Sequence, residues 1–304
     1  MNLGYACINK TLSGASPRIT TNRGMIKKTF LEKGLEYAGH LSLANVSDLL
    51  VILRWNVEKN IRFFRISSDI FPWGAHYDIS TLPQFAQIKK KLAEIGVYVQ
   101  KNNLRLTFHP GPFNVLTSPK VSVVENTIRD LEMHGIICDF LGLTRTPFNK
   151  INIHCNGVYG DKKSAMERFC LNFNLLSSSV QKRLTIENDD KSSMYSVKDL
   201  MYIHERIGIP IVFDLHHHKF CSGGLSEKEA LELAISTWPK SIRPVIHYSE
   251  SKSEHEHDNA IKKQAHSDFI KKLPLDYGYN LDVMVEAKAK EHAIMPFLHK
   301  IKKL

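Results

Sequence analysis

The chain has 304 residues, 43% of them hydrophobic, enough to bury a large core and within the usual size of one α/β barrel. Its formal net charge of +10, with a pI near 9.2, favours a polyanionic partner. No apolar run has the ~18 residues of a membrane span, the opening MNLGYACINK lacks the apolar core of a signal peptide, and five cysteines without CxxC spacing fit reduced, buried thiols better than disulfides or a zinc ribbon. A soluble, intracellular protein with reduced, mostly buried thiols is expected.

Residues 3–8 read as a first strand, followed by a polar loop over 9–24 that is long for such a connection. Residues 25–60 have helical periodicity, with Leu49, Leu50, Ile52, Leu53 and Val57 on one face and a break expected within 39–45. The second strand, 61–67, opens into an aromatic loop with Phe71 and Trp73 that ends at His76. A helix over 82–102 carries Lys89, Lys90 and Lys91 on a solvated face, and strand three ends at His109, ahead of Gly111, Pro112 and Phe113. A helix over 121–134 precedes strand four, which ends at His154, and residues 156–162 turn the chain into the next helix.

Strand five ends at Glu187, and a helix over 197–207 stops at Gly208 with Pro210 just beyond. Strand six ends at Asp214 in the stretch IVFDLHHH, and a helix over 226–238 begins with a capping box of Ser226 and Glu229. Strand seven ends at His247, strand eight at Glu286, and a final helix closes the chain. Residues 249–266 form a charged, His-rich insertion read as a loop, with His255 and His257 solvated. Strands and helices alternating in this way predict a single-domain TIM-type (β/α)8 barrel over 1–304.

In such a barrel the chemistry gathers at the C-terminal ends of the strands. The side chains expected there are His76, His109, His154, Glu187, Asp214, His217, His247, His266 and Glu286, imidazoles and carboxylates without a thiolate. That donor set suits Zn²⁺ or Mn²⁺ and is too large for one ion, so two or three metals are expected, with a carboxylate such as Glu187 bridging. Multi-metal sites of this kind commonly hydrolyse phosphoesters. Asp214 and His217 can reach different ions from one strand end, whereas His216 and His218 are expected to face away in structural or supporting roles.

The fragments LGYACIN, RISSDIFPWGAH, TFHPG, NIHCNGVYGDK, TIENDD, PIVFDLHHH, IHYSES, QAHSDF and MVEAKAKE, in this order over nearly the whole chain, resemble the ultraviolet damage endonucleases. The resemblance implies a barrel related in plan to endonuclease IV and up to three divalent ions, usually Mn²⁺, with Zn²⁺ or Mg²⁺ as substitutes. It implies a nick in double-stranded DNA immediately 5′ to cyclobutane dimers, 6-4 products and abasic sites. The same nine residues match the family's metal positions, with Glu187, His109, His247 and Glu286 as the catalytic core, and Tyr5 and Asn9 match the pair the family places at the lesion. A monomer is expected, in the cytoplasm at the nucleoid or else in a viral or nuclear setting. Two departures stand out: Pro112 replaces a common Gln before the aromatic, and Val245 stands where many members carry a Lys that CO₂ can modify.

Opening DNA at a lesion costs a few kcal/mol of unstacking, and Tyr5, Asn9, Phe71, Trp73, Phe113 and Tyr159 are the residues expected to fill the gap, with barrel-core packing the alternative for each and first of all for Phe71. Lys10, Arg18, Arg23, Lys162 and Lys252 are candidates for phosphate contacts. The competing readings are an abasic-site endonuclease, a metal-dependent sugar isomerase on the same barrel, and a non-catalytic damage-binding protein.

Overall fold

The computed structural model describes residues 1–301. Its strands are β1 (Asn2–Ala6), β2 (Phe63–Arg65), β3 (Arg105–Thr107), β4 (Ile151–His154), β5 (Leu184–Glu187), β6 (Ile211–Asp214), β7 (Val245–Tyr248) and β8 (Asp282–Val285). All pairings are parallel, in the order β3-β2-β1-β8-β7-β6-β5-β4. A single bridge between Phe108 and Ile151 joins β3 to β4 and closes the ring, so the expected (β/α)8 barrel is present.

The helices are α1 (Lys10–Ser13), α2 (Lys27–Glu58), α3 (Phe85–Lys101), α4 (Val121–Phe140), α5 (Lys162–Phe173), α6 (Ser178–Gln181), α7 (Val197–Ile207), α8 (Leu215–His218), α9 (Glu227–Ser236), α10 (Lys252–Glu256), α11 (Glu291–Ile294) and α12 (Leu298–Ile301). The expected end of the last helix, 302–304, lies outside the described residues. No helix among the described residues is long and apolar enough to cross a membrane.

Local chemistry accounts for the helix limits. The capping box expected at Ser226 and Glu229 opens α9, a second one of Ser196 and Asp199 opens α7, and Gly208 in the left-handed region (φ 70°) ends α7. The break expected within 39–45 of α2 falls instead at Gly34, whose φ of 61° and ψ of −155° only glycine adopts readily. Gly39 serves packing rather than bending. A Cβ there would come within 1.8 Å of Gln84 Oε1, so the missing side chain is what lets α2 meet the loop leading into α3.

Strand alternation sorts the side chains into two layers. Leu3, Tyr5, Phe64, Leu106, Ile153, Ile186, Phe213, Ile246 and Val283 face the helices in the main core. Ala6, Phe63, Val212, Val245 and Met284, with Trp238, fill the barrel interior. The interior floor is Arg105, fully buried, which donates to the carbonyls of Phe148 (2.8 Å), Arg243 (2.8 Å) and Pro147 (3.2 Å) and to Asp282 Oδ2 (2.9 Å). Above these layers the same inward columns end in His109, His154, Glu187, Asp214, His247 and Glu286.

Candidate metal centre at the barrel mouth

Glu187 is the hub. It is fully buried at the end of β5, and its Oε2 lies 3.0 Å from His109 Nε2, 3.0 Å from His247 Nδ1 and 4.0 Å from His154 Nε2. Its Oε1 lies 3.4 Å from His217 Nδ1. Three sets of possible ligands overlap here: His109, His247 and Glu286; His109, His154 and Glu187; Glu187, Asp214 and His217. In each set one donor atom per residue lies within 4.8 Å of the others. His109 belongs to two sets and Glu187 to two, so the three form a chain.

Supporting contacts orient the rings. His109 Nδ1 faces the Pro110 carbonyl at 3.2 Å, which turns its Nε2 toward Glu187 Oε2, and His217 Nδ1 faces the Asn188 carbonyl at 2.9 Å. His154 Nδ1 is 3.2 Å from Asp189 Oδ1, and His247 Nε2 is 3.1 Å from Lys150 Nζ. Asn188 also exchanges hydrogen bonds with the backbone of Asp214, and Asn152 Nδ2 donates to Glu187 Oε2.

Despite this support, Glu187 Oε1, Asp214 Oδ2, His247 Nδ1 and His266 Nδ1 are buried with no hydrogen-bond partner. His247 Nδ1 is near both Glu187 and Glu286 (3.3 Å), yet not aligned to donate to either. Buried polar atoms left unpaired in one place are costly, and several converging lone pairs are what a divalent cation satisfies. The donor set fits a hard or borderline divalent metal.

The electrostatics favour the same forms. Burial alone would raise Glu187, but His247 and His154 hold it well below the usual carboxylate range. Glu286 is likewise kept ionised against burial by Arg65, which is hydrogen-bonded to it, and by His247. Burial pushes His109 down to about 4, so its ring is neutral, as a ligand requires. For His217, burial pulls downward but Asp214 and Glu187 outweigh it and raise the ring to about 9, so metal binding there displaces a proton. Lys150, wholly buried, is lowered by desolvation to about 7.

Seven of the nine expected ligands therefore come together. His266 is at the edge, its ring 5.5 Å from that of His216 and 6.3 Å from that of His217, and joins none of the three sets. His76 is also outside them; it is exposed, beside Trp73 at 5.2 Å between ring centres.

The residues expected at the lesion divide into two groups. Phe113 is 88% exposed at the tip after β3, on a base fixed by Asn114 Nδ2 to Gly111 O (3.1 Å) and Asp130 (2.7 Å). Tyr159 is 51% exposed in the left-handed region. Trp73 is half-buried, donates to Met25 O at 2.9 Å and stacks on Phe30. Tyr5 and Asn9 are entirely buried: Tyr5 Oη donates to Asn56 Oδ1 (2.7 Å) and accepts from Asn9 Nδ2 (2.9 Å), while Asn9 Oδ1 caps α1. Tyr5 faces outward from the barrel because its odd position on β1 does, so neither side chain offers a surface to DNA in this structure.

Other expectations also change. His255 is not a solvated loop residue but pairs with Glu250, and Phe71 lies in the core, the alternative to its place at the gap. Among the basic loop residues, Arg23 is paired with Asp48, Lys162 with Asp199 and Lys252 with Glu256, whereas Lys10 and Arg18 have no ion pair among the described residues. Sequence reasoning passed over Arg65, Lys150, Asn152, Asn188 and Asp189. Period-two counting held the signal for three of them: Lys150 and Asn152 share the face of His154, and Arg65 shares that of Phe63. Val245 packs in the interior layer, and the lysine of the barrel interior comes from the start of β4.

The UV-endonuclease UvdE family model matches residues 1–304. The UV DNA damage endonuclease of Clostridium perfringens is 34% identical over all of this chain and 71% of its own length. The UV-damage endonuclease of Schizosaccharomyces pombe is 37% identical over 96% of this chain, which spans 49% of the yeast protein. The crystal structure of SacUVDE superposes with a TM-score of 0.85 at 31% identity, each chain covered completely. A D-tagatose 3-epimerase-like protein shares the barrel alone, with a TM-score of 0.58 at 13% identity. The chain, with candidate ligands gathered at its barrel mouth, therefore belongs to the UV-endonuclease UvdE family and is a DNA endonuclease acting on ultraviolet damage.

Proposed function

We propose that this enzyme hydrolyses the phosphodiester immediately 5′ to cyclobutane dimers, 6-4 products and abasic sites in double-stranded DNA, leaving a 3′-hydroxyl and a 5′-phosphate. It acts as a monomer of one catalytic domain, where chromosomal DNA lies. The observation that supports this is the chain of three overlapping ligand sets joined through His109 and Glu187.

His109, His154, Glu187, Asp214, His217, His247 and Glu286 would hold two or three divalent ions, Mn²⁺ in first place and Zn²⁺ or Mg²⁺ as alternatives, with His266 and His76 added from the rim loops. When bound, such ions lower the pKa of water and neutralise charge on the phosphate and the leaving oxygen. The chain's own residues prepare that state. Arg65 keeps Glu286 anionic, Glu187 stays ionised within its ring of imidazoles, and His109 stays neutral. Water adds to phosphorus, the bond to the 3′ oxygen breaks, and that oxygen takes a proton.

Phe113 and Tyr159, exposed beside the mouth, would fill the space left by the unstacked lesion; Phe113 does this without the amide that Pro112 lacks. Trp73, held by Met25 and Phe30, would line the same cavity as Phe113. Tyr5 and Asn9 act from beneath, tying β1, α1 and α2 together. The test is a labelled duplex with one dimer, incubated with Mn²⁺ or with EDTA. A chelator-sensitive nick at the 5′ side of the dimer is expected; cutting elsewhere, or equal cutting of undamaged duplex, overturns the assignment. An abasic duplex run in parallel tests the second substrate separately.

A further inference from the structure

On the far side of the mouth from Phe113 and Tyr159 lies a cavity of about 530 Å³ lined by Lys10, Asp268, Phe269, Lys288, Ala289 and His292. Its walls come from α1, the segment between α10 and β8, the β8–α11 connection and α11, whereas Phe113 and Tyr159 follow β3 and β4, across the ring from β8. Asp268 is two residues beyond His266, and Lys288 two beyond Glu286, so the cavity adjoins the metal centre.

The walls are held in place. The buried Glu291 carboxylate accepts from the backbone of Lys10 (2.9 Å) and Thr11 (2.7 Å) and from Thr11 Oγ1 (3.0 Å). Thr11 Oγ1 also contacts His292 Nε2 at 2.8 Å. Lys288 N donates to Ser267 O (3.0 Å) and Ala289 N to Asp268 O (2.9 Å), which fixes the loop carrying Phe269 to the β8 end. What the walls present is not internally satisfied. Phe269 is 52% exposed, and Lys10 and Lys288 are exposed without an ion pair among the described residues. Asp268 is the single acid in the lining.

A rigidly mounted exposed ring flanked by unpaired ammonium groups has the chemistry of a nucleotide platform: the ring stacks on a base and the cations meet phosphates. A lone exposed phenylalanine would be unremarkable in any surface. Here it shares a fixed cavity with two free cations, next to the centre where the DNA strand must pass. We propose that this cleft is a second DNA subsite, which takes the strand flanking the lesion with a base against Phe269 and phosphates on Lys10 and Lys288. The proposal rests on the reading of damaged DNA as the substrate laid across the barrel mouth.

The experiment measures KM and kcat for dimer duplexes in Mn²⁺ at several salt concentrations, for wild type, F269A, F269W and the K10A/K288A double variant. F269A is expected to raise KM about tenfold with kcat little changed, and F269W to restore it. The double variant is expected to raise KM and to flatten the dependence of log KM on log salt by about 1.8, two phosphates at roughly 0.9 each. Shortening the duplex on one flank should raise the wild-type KM and erase its difference from F269A. Wild-type KM and salt slope in both variants at every flank length, with thermal melts unchanged, would overturn the subsite while leaving the nicking reaction intact. Failure of the wild type to nick dimer DNA would instead remove the reading beneath it.

Discussion

Glu187→Gln is the perturbation that bears most directly on the centre. The substitution keeps shape and one carbonyl oxygen but removes the anion that His109, His154, His217 and His247 surround at 3.0 to 4.0 Å. Groups that merely orient a ligand are worth about 10- to 100-fold in metal affinity. A carboxylate belonging to two of the three ligand sets is expected to cost the upper end in both. With both ions required, nicking then falls about 10⁴-fold, or about 5.4 kcal/mol at 1.36 kcal/mol per decade. Because Glu187 is fully buried, retention of lesion DNA in EDTA should be little changed. The assay pairs initial nicking rates on a dimer duplex with fluorescence anisotropy of the same duplex. A variant that nicks at a tenth of the wild-type rate or faster would refute the shared-ligand role, and parallel loss of DNA binding would point to misfolding instead.

Other expectations concern the layers below and beside that centre. Arg105→Met strips four hydrogen bonds from the barrel floor; since Asp282 keeps Arg243 at 3.0 Å, the lower end of the buried-pair range applies, about 3 kcal/mol in urea unfolding, and a loss below about 1 would refute the floor's importance. Lys150→Met should weaken Mn²⁺ binding about 10- to 100-fold in calorimetric titration by freeing the His247 ring; unchanged affinity would show that the contact does not position the ligand. Burial tends to raise Glu250, but His255, Tyr248 and the backbone N–H groups of Lys271 and Lys272 lower it below its ordinary 4.5. Its stabilisation is therefore present above 4.5 and lost as pH falls through the depressed native value, so hydrogen exchange in 250–271 should accelerate in acid before the strands open. Glu250→Gln should abolish that acid step, and its persistence would assign the step elsewhere.

The barrel and most of the centre were legible because both rest on short-range regularities. An apolar run ending in His or a carboxylate marks a parallel strand and its C-terminal end, and β4, β5, β6 and β7 carry their candidate ligands where that pattern places them. What escaped was whatever depends on contacts across the chain. Arg65 and Lys150 look like surface residues until the ring closes and puts them against Glu286 and His247. Gly39 resembles a helix breaker, yet its role is set by Gln84, 45 positions away in sequence. His255 reads as solvated and Lys162 as a free phosphate contact until Glu250 and Asp199 are seen beside them. The outward direction of Tyr5 was available from alternation, since its neighbours Gly4 and Ala6 occupy the inward positions of β1.

The closure of the ring between β3 and β4 has a mechanical consequence. Phe108 N to Lys150 O (2.9 Å) and Asn152 N to Phe108 O (3.0 Å) are the backbone bonds at the bridge, while β1 and β8 share four register pairs. Directly above this thin seam, His109 and His154 stand on opposite lips with ring centres 5.4 Å apart. A cation gripped by both would act as a rivet across the seam, so loading the centre would stiffen the whole cylinder at its softest line. Cargo and container would then be one mechanical unit: removing the ions would take away, along with their chemistry, a clasp between the two edges.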